Sequence, residues 1–112
     1  MMKLWLDDVR TPPDETWTWV KSAQEALELF RQPNVVDIAS LDHHLGGAPS
    51  KPYNYLAASG LQLLWQLRSE RLQSKQELFI HTDDSMAGKQ MMLVAAQYMT
   101  CHVIRRPETR AL

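Results

Sequence analysis

Acids, imidazoles and guanidinium groups fall in short runs along this chain: Asp7-Asp8 with Arg10 close behind, Asp42-His43-His44, His81-Thr82-Asp83-Asp84, and Arg105-Arg106. Carboxylates that converge in one cleft repel each other, and a divalent cation is the usual compensation. Asp7, Asp8 and Asp42 offer hard oxygens suited to Mg²⁺ or Mn²⁺. Adding His43, His44 or His81 moves the preference toward Mn²⁺, Fe²⁺, Co²⁺ or Zn²⁺, because imidazole suits softer ions. Histidine is also the natural acid or base near neutral pH. A cation, an imidazole and nearby arginines together make a phosphate site.

Each group also has a plainer use. Side chains adjacent in sequence tend to point apart, so one of His43 and His44 is expected inside the site and one outside, with His43 the inner one. Asp83 and Asp84 are expected to cap a helix rather than bind metal. Arg10 is expected to pair with Asp7 or Asp8, or to meet a phosphate. Arg105 and Arg106 read as a surface pair, and Cys101 and His102 as structural.

These residues need elements to hold them, and the pattern is of strands alternating with helices, which implies an α/β domain with a mostly parallel sheet. Strands are predicted at Lys3–Leu6, Trp17–Val20, Val35–Leu41, Glu77–Ile80 and His102–Ile104. Ser22-Ala-Gln-Glu25 and Ser59-Gly-Leu-Gln62 are capping boxes that start two helices. The first buries Ala23, Ala26, Leu27 and Phe30. The second groups Leu61, Leu64 and Trp65 and ends near Leu72. A third helix is predicted over Ser85–Tyr98, with Met91, Val94, Ala95 and Tyr98 on one face. The stretch from His43 to Ala58 is long for a loop in a compact domain and is expected to close over a ligand. The tail after Arg106 is expected to fray.

Parallel neighbours normally need a crossover of a dozen or more residues. Only Val9 to Thr16 joins the first two strands, and Pro12-Pro13 bars a helix there. An extended, helix-free return is therefore expected, with an antiparallel second strand as the alternative. In an open parallel sheet, ligands bind outside the carboxyl ends of the strands. The acids, His81 and the arginines all fall at that edge.

Composition narrows the function. With 12 basic and 13 acidic residues the net charge is −1, which argues against general nucleic-acid binding by positive charge, and no DNA-binding motif is present. The 112 residues suit a single domain spanning 1–112. One cysteine excludes an internal disulfide. No run approaches the roughly 18 apolar residues of a membrane span. Acids come too early for a signal peptide, so a soluble cytoplasmic domain is expected.

The order of acid pair, Asp after the third strand and Thr after the fourth resembles the response-regulator receiver fold. That resemblance implies a doubly wound five-stranded parallel sheet of order 2-1-3-4-5, here without the helix between the first two strands. It implies a cation on Asp7 and Asp8, Asp42 as phosphoacceptor and Thr82 as the hydroxyl residue. Leu4–Arg10, Ser22–Ala26, Ser40–Gly46, Ile80–Thr82 and Gly88–Met92 are more similar to a divergent branch, the cyclic-phosphate processing receiver domain. Membership there implies metal-dependent phosphate handling linked to cyclic-phosphate ends of RNA. Three features depart from ordinary receivers: Arg105-Arg106 in place of a lysine, the two histidines after Asp42, and the missing helix.

The leading expectation is thus a phosphoesterase-like domain. Asp7, Asp8 and Asp42, with His43, hold a divalent ion: Mg²⁺ or Mn²⁺ first, Zn²⁺, Fe²⁺ or Co²⁺ otherwise. Asp42, His43 and His81 are the catalytic candidates, with His81 moving a proton, while Arg10 and Thr82 meet the phosphate of a small ester or RNA end. The alternatives are a stand-alone signalling domain phosphorylated on Asp42 and a non-catalytic metal or anion module.

Overall fold

The computed structural model describes residues 1–45 and 59–106. Most of the predicted closing loop and the tail after Arg106 lie outside the described residues. In chain order the elements are β1 (Met2–Leu6), β2 (Trp17–Val20), α1 (Ala23–Arg31), β3 (Val36–Leu41), α2 (Gly60–Glu70), β4 (Glu77–Ile80), α3 (Ser85–Tyr98) and β5 (His102–Arg105). Each helix begins where a side-chain oxygen takes an orphan amide: Ser22 accepts from the Glu25 N–H, Ser59 from Gln62 and Asp84 from Ala87. α2 stops at Glu70, two residues before the expected end, because Arg71 adopts the left-handed conformation at φ 57°. It buries Leu63, Leu64 and Leu67, and Trp65, expected to group with Leu64, stands 50% exposed.

The sheet is five-stranded, in the order β2-β1-β3-β4-β5, and every pairing is parallel. The antiparallel alternative for β2 therefore falls. Lys3 pairs with Trp17 and Leu6 with Val20, so the chain returns along β1 without a helix. The connections β2 to β3, β3 to β4 and β4 to β5 all step across the sheet in one direction. Right-handed crossovers then put α1, α2 and α3 on the same face. There Leu4, Leu6, Val20, Ala39, Leu41, Leu78 and Ile80 meet Leu27, Phe30, Leu64, Leu67, Met91 and Val94 in one buried cluster. The step from β1 to β2 runs the other way, and its helix is the missing one. Among the described residues no helix covers the second face, where Trp17, Trp19, Ile38, Phe79 and Ile104 are half-buried. Trp5, on that face, is 1% exposed, and its indole N–H donates to the Arg10 carbonyl at 2.9 Å, tying the return segment down.

The backbone ladder runs one residue past β1, β3, β4 and β5. The Asp7 N–H donates to Val20 O at 3.1 Å, Asp42 to Leu6 O at 3.0 Å, His81 to Leu41 O at 3.0 Å and Arg106 to Ile80 O at 2.7 Å. The chemistry-bearing residues are therefore fixed by sheet hydrogen bonds rather than left on a free loop. α2 presses against the same edge: the Gly60 N–H donates to His43 O at 2.8 Å, and a Cβ at Gly60 would run into the Asp42 carbonyl and come within 2.8 Å of Met91 Cε. Gly60→Ala is expected to lower the stability to urea unfolding by about 3 kcal/mol, the upper end for overpacking against backbone. An unchanged midpoint would mean that α2 does not sit against Asp42 as described.

Candidate functional site

Alternation along the strands sends Leu6, Leu41 and Ile80 toward the helices and the residues after them, Asp7, Asp42 and His81, away from them. One ligand atom from each of these three buried residues lies within 4.8 Å of the others. Asp7 is well provided for. Its Oδ1 accepts the N–H groups of Val9 and Arg10, each at 2.9 Å, and its Oδ2 lies 3.1 Å from His81 Nε2. Burial works upward on its pKa, but His81 and the two amides outweigh that and hold the carboxyl below its ordinary value. Asp42 has less support. Its carboxylate takes one hydrogen bond among the described residues, Oδ1 accepting the His43 N–H at 2.8 Å. Burial first, and the Asp7 charge second, push its pKa up to about 7. The pair therefore keeps a proton near neutral pH, or it takes a cation in the proton's place.

His81 is fully buried, with Nδ1 2.6 Å from Ser40 Oγ and its ring stacked on Trp5 at 4.0 Å between centroids. Burial pushes its pKa down, only partly offset by Asp7, so the ring is neutral. The consistent tautomer donates Nε2–H to Asp7 and accepts the Ser40 hydroxyl at Nδ1. Both nitrogens are thus engaged inside the protein. The expectation that His81 passes a proton to a substrate does not match this placement; it holds Asp7 in position instead.

A polar cavity of about 310 Å³ opens at this edge. Asp7, Asp8, Val9 and Arg10 wall it from the end of β1, Asp42 and His44 from the end of β3, and Thr82, Asp83 and Asp84 from the end of β4. Asp8 faces the cavity but stands outside the tight Asp7–Asp42–His81 group. Arg10 pairs with neither Asp7 nor Asp8; its guanidinium pairs with exposed Asp83 at the rim. Thr82 Oγ1 accepts the Asp84 N–H at 3.2 Å, which leaves its own proton to donate. Asp84 caps α3, as expected, and Asp83 does not.

The two histidines reverse their expected places. His44 lines the cavity, exposed, with Nε2 2.8 Å from Asp84 Oδ2, whereas His43 is half-buried and is not part of the cavity wall. His43 therefore does not join Asp7 and Asp42. The alternation behind that expectation holds only as far as the sheet ladder, which ends at Asp42. Beyond it an isolated bridge between His44 and Ser59 sets the direction of the chain. Arg105 is half-buried rather than fully on the surface. Its guanidinium lies against Gly88, where a Cβ would come within 2.6 Å of Nε, while Arg106 stacks over Phe79 at 4.9 Å. Ser40 and Trp5, which hold the His81 ring, are not among the residues that the sequence marks as chemical. The sequence does carry a signal for Ser40, a small polar residue that, with Asp37, interrupts a mostly apolar central strand.

The Asp42 shift gives a stability test. The unfolded chain ionises Asp42 near 3.8 and the folded chain near 7, so the fold holds an extra proton between those values and loses stability as pH rises through them. In chelator-treated protein Asp42→Asn removes the charge and keeps an oxygen for the His43 N–H. It is expected to stabilise more at pH 8 than at pH 5, by about 2 kcal/mol. A benefit independent of pH would contradict the assignment.

A family model described as the cyclic-phosphate processing receiver domain matches residues 2–97 of this chain. No curated protein matches it.

Proposed function

The chain belongs to the cyclic-phosphate processing receiver domain family, and from that premise we propose that it is a divalent-cation-dependent phosphoesterase acting on 2′,3′-cyclic phosphate ends of RNA or nucleotides. The observation that carries this reading is the pair of buried carboxylates from adjacent strands, one held near pH 7, at the base of a polar cavity. The donor set fits a divalent ion: Asp7 and Asp42 face each other, and the Arg10 guanidinium is committed to Asp83. Asp7 and Asp42 would hold the ion, with Asp8 supplying a further oxygen from the cavity wall. When bound, it supplies a Lewis acid that polarises a phosphoryl oxygen and makes water a stronger nucleophile near neutral pH.

The remaining work falls to the chain itself. His81 fixes the Asp7 carboxylate through Nε2–H, and the Arg10 and Val9 amides fix its other oxygen. Arg10 exchanges an exposed ion pair, which contributes at most about 1 kcal/mol, for a phosphate oxygen that it can grip bidentately. Thr82 donates its hydroxyl proton to a second phosphate oxygen. In the reaction water adds to phosphorus, one P–O bond to ribose breaks, and the freed ribose oxygen takes a proton, leaving a phosphomonoester. A net charge of −1 is compatible with this, because the phosphate is reached through a cation and one arginine rather than through a basic surface.

A second reading, phosphorylation of Asp42 in a signalling domain, is favoured by one observation: Asp42 and Thr82 share the cavity from adjacent strands, as the receiver resemblance implies.

Incubation with a 2′,3′-cyclic nucleotide and Mn²⁺ or Mg²⁺ distinguishes the two. Turnover is expected, falling at least about 100-fold in Asp42→Asn, while Arg10→Ala raises KM about 10-fold with a smaller effect on kcat. No turnover by folded protein with Mg²⁺, Mn²⁺, Co²⁺ or Zn²⁺ would overturn the reading. Labelling of Asp42 by acetyl phosphate would then support the second.

A further inference from the structure

We propose that His43, His44 and Asp84 form a second divalent-cation site, distinct from Asp7–Asp42 and opening on the same cavity. One imidazole nitrogen from each histidine and one carboxylate oxygen of Asp84 lie within 4.8 Å of one another. Around a tetrahedral ion with bonds of about 2.1 Å, ligand atoms sit about 3.4 Å apart. His44 Nε2 and Asp84 Oδ2 are already closer than that, at 2.8 Å. Bringing His43 to that spacing takes a shift of no more than about 1.4 Å, beside a His44 side chain that is exposed.

Three features suit the cluster to an ion. The rings of His43 and His44 stand 4.6 Å apart and nearly crossed, at 73°, so two consecutive residues present imidazoles to one place. His43 Nδ1 is buried with no hydrogen-bond partner among the described residues, a cost that a ligand removes. Asp84 divides its oxygens: Oδ1 accepts the Ala87 N–H at 2.9 Å and caps α3, and Oδ2 faces His44. Ligation through Oδ2 therefore leaves the helix cap in place, and the cap in turn orients the ligand.

The donor set fixes the class of ion. Two imidazoles and one carboxylate suit Zn²⁺, Co²⁺ or Fe²⁺ and leave a coordination position open, whereas the Asp7–Asp42 oxygens suit Mg²⁺ or Mn²⁺. His44 and Asp84 line the cavity, so that open position is available to an oxygen of whatever occupies it. If the phosphoesterase reading above holds, the phosphate would lie between two unlike cations, an arrangement that stabilises both the attacking and the departing oxygen. Binding of the second ion does not depend on that reading.

The test is calorimetric titration of untagged protein with Zn²⁺, in the wild type and three variants. His44→Ala changes an exposed side chain, and Asp84→Asn keeps a good helix cap, so both are expected to fold. The expected result is a Zn²⁺ binding event in the wild type that weakens at least about 100-fold in both variants and survives in Asp42→Asn. Wild-type Zn²⁺ binding that is absent, unchanged by His44→Ala and Asp84→Asn, or abolished by Asp42→Asn would overturn the proposal. Turnover serves as the separate readout: Zn²⁺ binding sensitive to His44 without hydrolysis of any cyclic nucleotide rejects the phosphoesterase and leaves the second site standing.

Discussion

Asp7 and Asp42 are buried side by side because β1 and β3 are hydrogen-bonded neighbours whose last residues, Leu6 and Leu41, are in register. Moving either acid would mean breaking the ladder, since the Asp42 N–H donates to Leu6 O. The repulsion between them is therefore fixed by the sheet rather than by side-chain choice, and the surroundings respond unequally. Two loop amides and the His81 imidazole stabilise charge on Asp7; a single amide serves Asp42. The imbalance leaves Asp42 as the group that takes up a proton. His81 is in turn fixed by Ser40 and by stacking on Trp5, so the support for Asp7 reaches through three strands.

The missing helix shapes the site as well as the fold. With a helix between β1 and β2, the residues after Asp7 would belong to its first turn. Here they form a short helix-free return that delivers two amides to Asp7 Oδ1 and places Arg10 at the cavity rim. Tryptophans do some of the covering that a helix would do. Trp5 anchors the return through Arg10 O, and Trp19 donates to Asp7 O at 2.7 Å. Trp17 packs edge-on to Trp5 at 5.6 Å, with the Lys3 ammonium over its ring.

Much of this was legible in the residues themselves. Strand periodicity and parallel connections bring Asp7, Asp42 and Thr82 to one edge, because a side chain's place at a strand end follows from local pattern and strand order. The places of His43 and His44 did not follow, since alternation lapses once the sheet ladder ends at Asp42, and contact with Ser59 then decides direction. Arg10 was the other difficulty. Its partner Asp83 lies 73 residues away, and nothing local favours it over the nearby Asp7 and Asp8. The role of His81 was hidden for a related reason: a histidine at a strand end looks the same in sequence whether it faces a cavity or turns inward to a serine on the next strand.

We propose that the buried Asp7–Asp42 pair holds a divalent cation. Crystals soaked in Mn²⁺ at pH 8, measured at a wavelength where manganese scatters anomalously, test it most directly. An anomalous peak between the Asp7 and Asp42 carboxylates is the expected result. Well-ordered crystals with no peak there, or with manganese bound only elsewhere, would contradict it.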